Sequence, residues 1–311
     1  MNNDERIALG ATNVKVTPLG IGAWQWGDRL IWGYRREYGY ADVRAAFDAA
    51  IAAGVRFFDT AEAYGRGTSE RLLGEFVRAS GVPVAVATKF MPYPWRWRKH
   101  SLVQALRRSL NRLGLEQVDL YQIHWPLPLR PIETWVDALA DAVQTGLTRA
   151  VGVSNFSVGQ MRRAHAVLAR RGVPLASNQV EYSLLHRTPE RNGLLAACRE
   201  LNVTLVAYSP LKWGLLSGKY TPTMPPPGLR GYRLGASLLA RTQSLVDRLR
   251  QIGEPHGKTP AQVALNWIMC KGALPIPGVK NARQAQENAG ALGWSLAADE
   301  VTMLDAASDR T

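Results

Sequence analysis

Apolar residues are distributed along the chain in two alternating patterns. Eight short runs of six or seven residues are mostly apolar, and most are followed by a longer segment whose apolar positions recur every three or four residues. Such runs are typical of strands buried on both faces, and the longer segments are typical of amphipathic helices. The predicted strands are 19–24, 55–60, 84–89, 118–124, 150–155, 176–182, 203–209 and 272–277.

Segment 101–113 illustrates the helical pattern. Leu102, Leu106, Leu110 and Leu113 fall on one face, and arginines occupy the opposite face, as expected of a helix that covers a sheet. The same spacing predicts further helices at about 41–53, 68–79, 132–144, 157–169, 191–201, 259–270 and 281–291.

These elements predict a (β/α)₈ TIM barrel that spans residues 1–311 as a single α/β domain. Apolar strands that alternate with helices form a parallel sheet, and eight such units complete a barrel. A doubly wound sheet is the alternative, but its candidate phosphate turn, residues 20–27 (GIGAWQWG), lacks the GxGxxG spacing. Residues 7–16 predict an N-terminal β-hairpin. The proline- and glycine-rich stretch 218–235 predicts a flexible flap.

Composition is that of a soluble globular protein. Of 311 residues, 46% are hydrophobic and 20% charged, and no run approaches the roughly 18 apolar residues of a membrane-spanning helix. The start, MNNDERIALG, lacks a signal-peptide pattern, so a cytoplasmic location is expected. Cys198 and Cys270 lie far apart without CxxC spacing, which favours two reduced thiols and no metal site.

The chain is strongly basic, with a net charge of +13 and a pI near 10.1. This charge would suit nucleic acid, an anionic membrane surface or a small polyanion, and its sign alone does not choose among them. The basic pairs are interpreted as parts of solvated outer faces and lie at 35–36, 107–108, 162–163 and 170–171.

Polar residues close the predicted strands at intervals of one βα unit. Taken singly, each has an ordinary explanation as a cap, a packed residue or a solvated charge. In a barrel, however, the C-terminal ends of all strands meet at one mouth, where active sites form. The residues brought there are Asp59, Lys89, His124, Ser154, Asn155, Gln179, Tyr208 and Ser209, with Tyr64 on the loop after Asp59.

Four of these residues make chemical sense as a proton-transfer site. A tyrosine has a pKa of about 10, and an ammonium ~4 Å away would favour its phenolate by about 4 kcal/mol, roughly three pKa units before desolvation. Lys89 is therefore predicted to tune Tyr64, with Asp59 as the counter-ion of the lysine. His124, neutral beside the lysine, would orient a substrate oxygen.

Seven motifs, in order along about residues 7–308, match those of a known family. The chain resembles the aldo-keto reductase superfamily, and its last motif is similar to those of cyanobacterial and chloroplast members. The resemblance implies a catalytic tetrad of Asp59, Tyr64, Lys89 and His124, with Tyr64 protonating a carbonyl oxygen while NADPH delivers hydride. The motifs are FFDTAEAYG, ATKF, DLYQIHWP, AVGVSNFS, ASNQVEYS, VAYSPLKWGLLSGKY and PIPGVKNARQAQENAGALGW.

The resemblance also implies the cofactor contacts. Ser154, Asn155 and Gln179 would hold the nicotinamide carboxamide, and Tyr208 would stack on the ring. Independently, Asn281 is a candidate N-cap of the last barrel helix, where Lys280 and Arg283 add charge suited to a phosphate. The further positions implied along the cofactor are Trp24, Ser209, Leu211, Gly214, Lys280, Gln284, Glu287 and Asn288.

The substrate side is less well defined by the sequence. Loop 91–101 (MPYPWRWRKHS) follows Lys89, so Trp95 is a candidate substrate contact, with Trp32 and Trp125 as further walls. A packed rim loop or a site for single-stranded nucleic acid are the alternatives for this loop. We expect a small carbonyl compound as partner, with neither nucleic acid nor membrane, and leave the oligomeric state open. The competing function is a cofactor-binding regulatory subunit with slow or vestigial reductase activity.

Overall fold

The computed structural model describes residues 6–127, 129–226 and 229–309, and a parallel eight-stranded sheet forms its centre. The strands are hydrogen-bonded in chain order, with every neighbouring pair parallel. Before them lies an antiparallel hairpin of β1 (Ile7–Ala8) and β2 (Lys15–Val16). The sheet strands are β3 (Ile21–Gly22), β4 (Phe57–Asp59), β5 (Ala85–Phe90), β6 (Val118–Ile123), β7 (Thr148–Ser154), β8 (Leu175–Glu181), β9 (Thr204–Tyr208) and β10 (Leu274–Pro275).

Backbone contacts between the first and last sheet strands close the barrel. The Gly20 N–H donates to the carbonyl of Pro275 at 3.0 Å, and the Gly22 N–H donates to that of Pro277 at 3.1 Å. A Cβ on Gly22 would lie 2.9 Å from the Ile276 carbonyl, so glycine permits this close approach. The predicted (β/α)₈ barrel with an N-terminal hairpin is therefore confirmed.

Helices cover the outside of the sheet. In the helix formed by residues 101–113, the predicted leucine face is buried against the strands. The helices are α1 (Tyr40–Ala52), α2 (Thr68–Ser80), α3 (Ser101–Leu113), α4 (Ile132–Gln144), α5 (Val158–Ala169), α6 (Thr188–Arg191), α7 (Leu194–Glu200), α8 (Leu229–Gly253), α9 (Pro260–Cys270), α10 (Ala282–Ala289) and α11 (Ala298–Asp309).

Helix α8 occupies the C-terminal part of the flap predicted for residues 218–235, while residues 218–226 form no helix. The helix begins at Leu229, inside the predicted flap, and runs to Gly253, interrupted at Gly235 by a non-helical backbone conformation. Residues 227 and 228 lie outside the described ranges. Buried Leu239, Leu245 and Leu249 give this helix an apolar face that outweighs the prolines and glycines before it. Sequence reasoning also missed α11, whose Leu304 is fully buried.

The interior of the barrel is filled at its N-terminal end. Phe57, Leu120, Val206 and Leu274 point into one apolar cluster, and the hairpin adds Val16 from below. A larger cluster packs between the sheet and the surrounding helices. Because the lower half of the barrel is packed with side chains, the polar strand ends are accessible only from the C-terminal mouth.

Arg162 and Arg163 lie on the solvated outer surface, as predicted, and both form ion pairs there. Arg162 pairs with Glu200 at 2.5 Å, and Arg163 pairs with Glu133 at 2.7 Å, all four side chains being exposed. Such exposed pairs contribute little to stability. Across the described ranges, we find no helix whose length and hydropathy would let it cross a membrane.

Two helical glycines provide a matched test of the packing between helices. Gly74 of α2 lies directly against the Leu113 backbone of α3, where a Cβ would overlap, whereas Gly159 of α5 has open space beside it. We expect Gly74→Ala to lower the free energy of unfolding by about 1–3 kcal/mol through overpacking. Gly159→Ala, in the first turn of α5, should raise it slightly, by at most about 0.5 kcal/mol, because alanine favours helix. Urea unfolding of both variants measures this, and equal effects would contradict the packing argument.

Candidate functional site

A cavity of about 1170 Å³ opens at the C-terminal mouth of the barrel. Residues from several strand ends and from the loops after them line it, as the strand-end pattern predicted. Of the site residues predicted from the sequence, the cavity is lined by Trp24, Trp32, Asp59, Tyr64, His124, Trp125, Ser154, Asn155, Gln179, Tyr208, Ser209, Leu211, Gly214, Lys280, Arg283, Gln284, Glu287 and Asn288.

Lys89 lies behind the cavity wall and is fully buried. Its ammonium forms an ion pair with Asp59, donates to the Thr60 carbonyl at 2.8 Å and lies 3.4 Å from the Tyr64 hydroxyl. Burial lowers the pKa of Lys89, but the nearby Asp59 carboxylate and Tyr64 raise it, and the net shift is upward. The side chain therefore remains a cation, paired with the predicted counter-ion.

Two glutamines complete the shell around Asp59. The side-chain amide of Gln179 donates to Asp59 Oδ2 at 3.0 Å, and that of Gln122 donates to the same oxygen at 3.2 Å. Both are fully or almost fully buried. Sequence reasoning missed Gln122, although its place two residues before His124 on a strand puts both side chains on the same face.

Tyr64 stands at the start of a short 3₁₀ turn above the ion pair. Its ring stacks on Trp24, with centroids 6.2 Å apart, and meets His124 edge-on at 5.6 Å. Burial raises the pKa of Tyr64, the Lys89 cation lowers it and Asp59 raises it, for a net upward shift. The contribution of Lys89 lowers the pKa of Tyr64 as predicted, but burial and Asp59 outweigh it in the net shift.

His124 is neutral, as predicted. Burial, together with the nearby Lys89 charge, lowers its pKa to about 3. Its Nδ1 atom is buried and has no hydrogen-bond partner among the residues the structure describes. The imidazole is thus held next to Tyr64 without a charge at neutral pH.

A hydrogen-bonded chain links the strand ends of β7, β8 and β9. Ser154 donates its hydroxyl to the Gln179 carbonyl at 2.8 Å, and the Asn155 amide donates to the His124 carbonyl at 3.0 Å. The Tyr208 hydroxyl donates to Asn155 Oδ1 at 3.0 Å. Asn155 has φ of 63°, a left-handed conformation that asparagine tolerates better than most residues. These hydrogen bonds fix the orientation of the polar groups that are predicted to face a nicotinamide.

The far end of the cavity is formed by the start of α10. Asn281 is its N-cap, as predicted, and its side chain accepts from the Gln284 N–H at 3.1 Å. Lys280 is bound to the Trp32 carbonyl at 2.8 Å and to Glu37 at 3.0 Å, so it ties this helix to the loop after β3. Arg283 is exposed and lines the cavity.

Trp95 lies outside the cavity, contrary to its predicted role in the substrate pocket. It is 69% exposed, and its ring stacks on Tyr93 with centroids 4.6 Å apart. Its neighbour Arg96 turns inward to Glu62. Trp32 and Trp125 do line the cavity, joined by Trp213, which sequence reasoning did not single out. In the part of the chain that is described, no cluster of His, Cys, Asp or Glu could hold a metal ion.

Comparisons with known proteins show the family of this chain. A model of the aldo/keto reductase family matches residues 18–309. The chain belongs to this family. It is 42% identical to the chloroplastic pyridoxal reductase of Arabidopsis thaliana, over 98% of this chain and 86% of that protein. It is 33% identical to a Schizosaccharomyces pombe aldo-keto reductase whose name specifies NADP(+), over 86% of this chain and 82% of that protein.

Solved structures of family members share the barrel. A thermostable aldo-keto reductase in complex with the inhibitor epalrestat matches with a TM-score of 0.78 and 31% identity, over 97% of this chain and 99% of that chain. The glycerol dehydrogenase of Gluconobacter oxydans matches with a TM-score of 0.86 and 27% identity, over 100% and 96%. The predicted family is therefore confirmed, and with it an oxidoreductase activity.

The location of the protein remains a prediction. The Arabidopsis relative is described as chloroplastic, which does not fit the cytoplasmic location expected from the sequence.

The buried ion pair generates a stability prediction. Lys89→Met would leave the Asp59 carboxylate buried beside two glutamine amides but without its cation, so we expect a loss of about 3–5 kcal/mol in the free energy of unfolding. The matched control is Lys89→Met with Asp59→Asn, which removes the charge and should recover part of the loss. Urea denaturation compares the three proteins. A double variant less stable than Lys89→Met would contradict the argument.

Proposed function

We propose that the protein reduces aldehydes or ketones to alcohols, with NADPH as hydride donor and Tyr64 as proton donor. The observation that carries the proposal is the Tyr64 hydroxyl, 3.4 Å from a buried ammonium and beside a neutral histidine in the wall of a large cavity. These groups suit the protonation of a carbonyl oxygen as it gains negative charge.

The residues that line the cavity support nicotinamide adenine dinucleotide phosphate as the cofactor. Ser154, Asn155 and Gln179 present hydroxyl and amide groups beside the tetrad, which would hold the nicotinamide carboxamide, and Tyr208 would pack against the ring. The same cavity reaches the capped N-terminus of α10, where backbone N–H groups and Arg283 suit a phosphate. When bound, NADPH supplies the hydride for the carbonyl carbon.

Tyr64 keeps its proton at neutral pH and would transfer it as negative charge develops on a substrate oxygen. Because burial raises its pKa, the hydroxyl is protonated at neutral pH and ready to donate. As the proton leaves, the fully buried Lys89 ammonium would stabilise the phenolate that forms. His124, neutral at the same pH, can donate an imidazole N–H to the substrate oxygen and hold it toward Tyr64.

The cavity walls favour a planar aromatic aldehyde as substrate. Trp24, Trp32, Trp125 and Trp213 all line the cavity, and Trp24 meets Trp32 edge-on with centroids 5.6 Å apart. Aromatic walls bind flat rings by stacking. The Arabidopsis relative is named a pyridoxal reductase. Pyridoxal therefore belongs in the first panel of aldehydes, with turnover followed by NADPH oxidation.

The proton donor is tested by Tyr64→Phe. The change removes one oxygen and leaves the ring contacts with Trp24 and His124, so folding and NADPH affinity should be preserved. We expect single-turnover reduction to fall by about 10²–10⁴-fold. Tyr121→Phe is the control, because Tyr121 is a fully buried tyrosine that lies outside the cavity. A Tyr64→Phe variant that keeps more than about a tenth of the rate would exclude this assignment.

The preference for NADPH over NADH is tested by Arg283→Ala. A charge-assisted contact to the 2′-phosphate contributes about 1.5–3 kcal/mol, so NADPH binding should weaken roughly tenfold to hundredfold while NADH binding changes little. Lys280→Ala should affect both cofactors alike, because Lys280 binds Trp32 and Glu37. Arg107→Ala, an exposed arginine on α3, is the control. Equal affinity of the unmodified protein for both cofactors would contradict the proposal.

A further inference from the structure

The basic, tryptophan-rich loop 91–101 after β5 contains a contact that lies outside the cavity. Within it, Arg96 turns away from solvent and forms an ion pair with Glu62, on the loop after β4. Their side chains are 10% and 6% exposed, and neither lines the cavity. The pair therefore joins the loops of two neighbouring strands from behind the cavity wall.

The Glu62–Arg96 clamp engages both oxygens of the carboxylate. Glu62 Oε1 accepts from Arg96 Nη1 at 2.5 Å and from the Met91 N–H at 2.7 Å, and Oε2 accepts from Arg96 Nη2 at 2.9 Å. The guanidinium lies over the rings of Phe90 and Tyr93, at 4.8 and 5.1 Å from their centroids. A planar guanidinium meets a carboxylate through two parallel hydrogen bonds, a geometry that lysine lacks.

The clamp holds the side chain of Glu62, two residues before Tyr64. On the other side of Tyr64, Gly65 abuts Gly27, where a Cβ would lie 2.7 Å from the Gly27 carbonyl. Tyr64 is thus held between two fixed backbone points. The contact of its hydroxyl with Lys89 is long, at 3.4 Å, and does little to fix the ring. The position of the hydroxyl depends mainly on the backbone of this loop and on ring packing.

We propose that Arg96, through Glu62, is a positioning residue that holds the Tyr64 loop so that the hydroxyl stays within reach of both Lys89 and the substrate oxygen. The inference rests on the proposed role of Tyr64 as proton donor. It differs from a substrate-binding role for the loop, because neither Glu62 nor Arg96 lines the cavity. Its effect should fall on the rate of reduction and leave the affinities for aldehyde and NADPH unchanged.

A double-mutant cycle separates positioning from general stability. Arg96→Met, Tyr64→Phe and the combined variant are compared by single-turnover reduction of one aldehyde at saturating NADPH, below the unfolding temperature of each. We expect Arg96→Met alone to slow reduction about tenfold to hundredfold, because ångström-scale misplacement of a catalytic group costs up to ~10²-fold. In the Tyr64→Phe background, Arg96→Met should slow it no further, because the residue acts through the hydroxyl.

Three further variants serve as comparisons for Arg96→Met. Arg96→Lys keeps the charge but not the two parallel bonds and should recover part of the rate. Glu62→Gln is nearly isosteric, can still accept from the Met91 N–H, and should slow reduction in the same direction if Arg96→Met folds poorly. Arg163→Met, which breaks the exposed pair with Glu133, should leave the rate unchanged.

Each outcome bears on a separate assignment. An additive loss in the combined variant would overturn the positioning role, since it would mean that Arg96 acts independently of the hydroxyl. A normal rate for Arg96→Met, with Tyr64→Phe slow, would also overturn it and leave the proposed function intact. A normal rate for Tyr64→Phe would instead reject the proton-donor assignment, and the positioning role with it.

Discussion

The buried ion pair between Lys89 and Asp59 is the interaction on which the rest of the site depends. An ammonium and a carboxylate that leave water lose several kcal/mol of hydration each, and their mutual attraction offsets this only when the remaining polar atoms are also satisfied. Gln122, Gln179 and the Thr60 carbonyl satisfy them here. Four strands, β4, β5, β6 and β8, thereby converge on one pair of charges.

The pairing also sets the protonation states around it. A lone lysine cation would draw the neighbouring phenol toward ionisation, but a lysine beside its carboxylate presents the phenol with a dipole. Burial then decides, and Tyr64 keeps its proton while His124 stays neutral. The site holds little net charge before reaction, so the field of Lys89 is of most use at the moment when negative charge develops on oxygen.

Much of the site was predictable from the sequence, because in a barrel a residue at the end of any strand lies at the same mouth. Asp59 ends β4, His124 directly follows β6 and Gln179 lies near the end of β8, and strand ends of a barrel meet at one mouth. Helix α8 was harder to predict, since the prolines and glycines before it obscured a leucine spacing that only tertiary burial makes decisive. Trp95 was misjudged because adjacent residues on a loop can face opposite ways, as exposed Trp95 and inward-facing Arg96 do, and sequence spacing carries no such information outside regular elements.

The closure of the barrel has a consequence for how ligands and stability are linked. Strands β3 and β10 contain two residues each, so the seam between them rests on few backbone hydrogen bonds and is a natural point for local opening. Gly22 and Gly278 lie on opposite sides of that seam, and both line the cavity. A ligand bound in the cavity at this point would contact both β3 and the segment after β10. Its binding free energy adds to the cohesion of the barrel, and the melting temperature becomes a measure of occupancy.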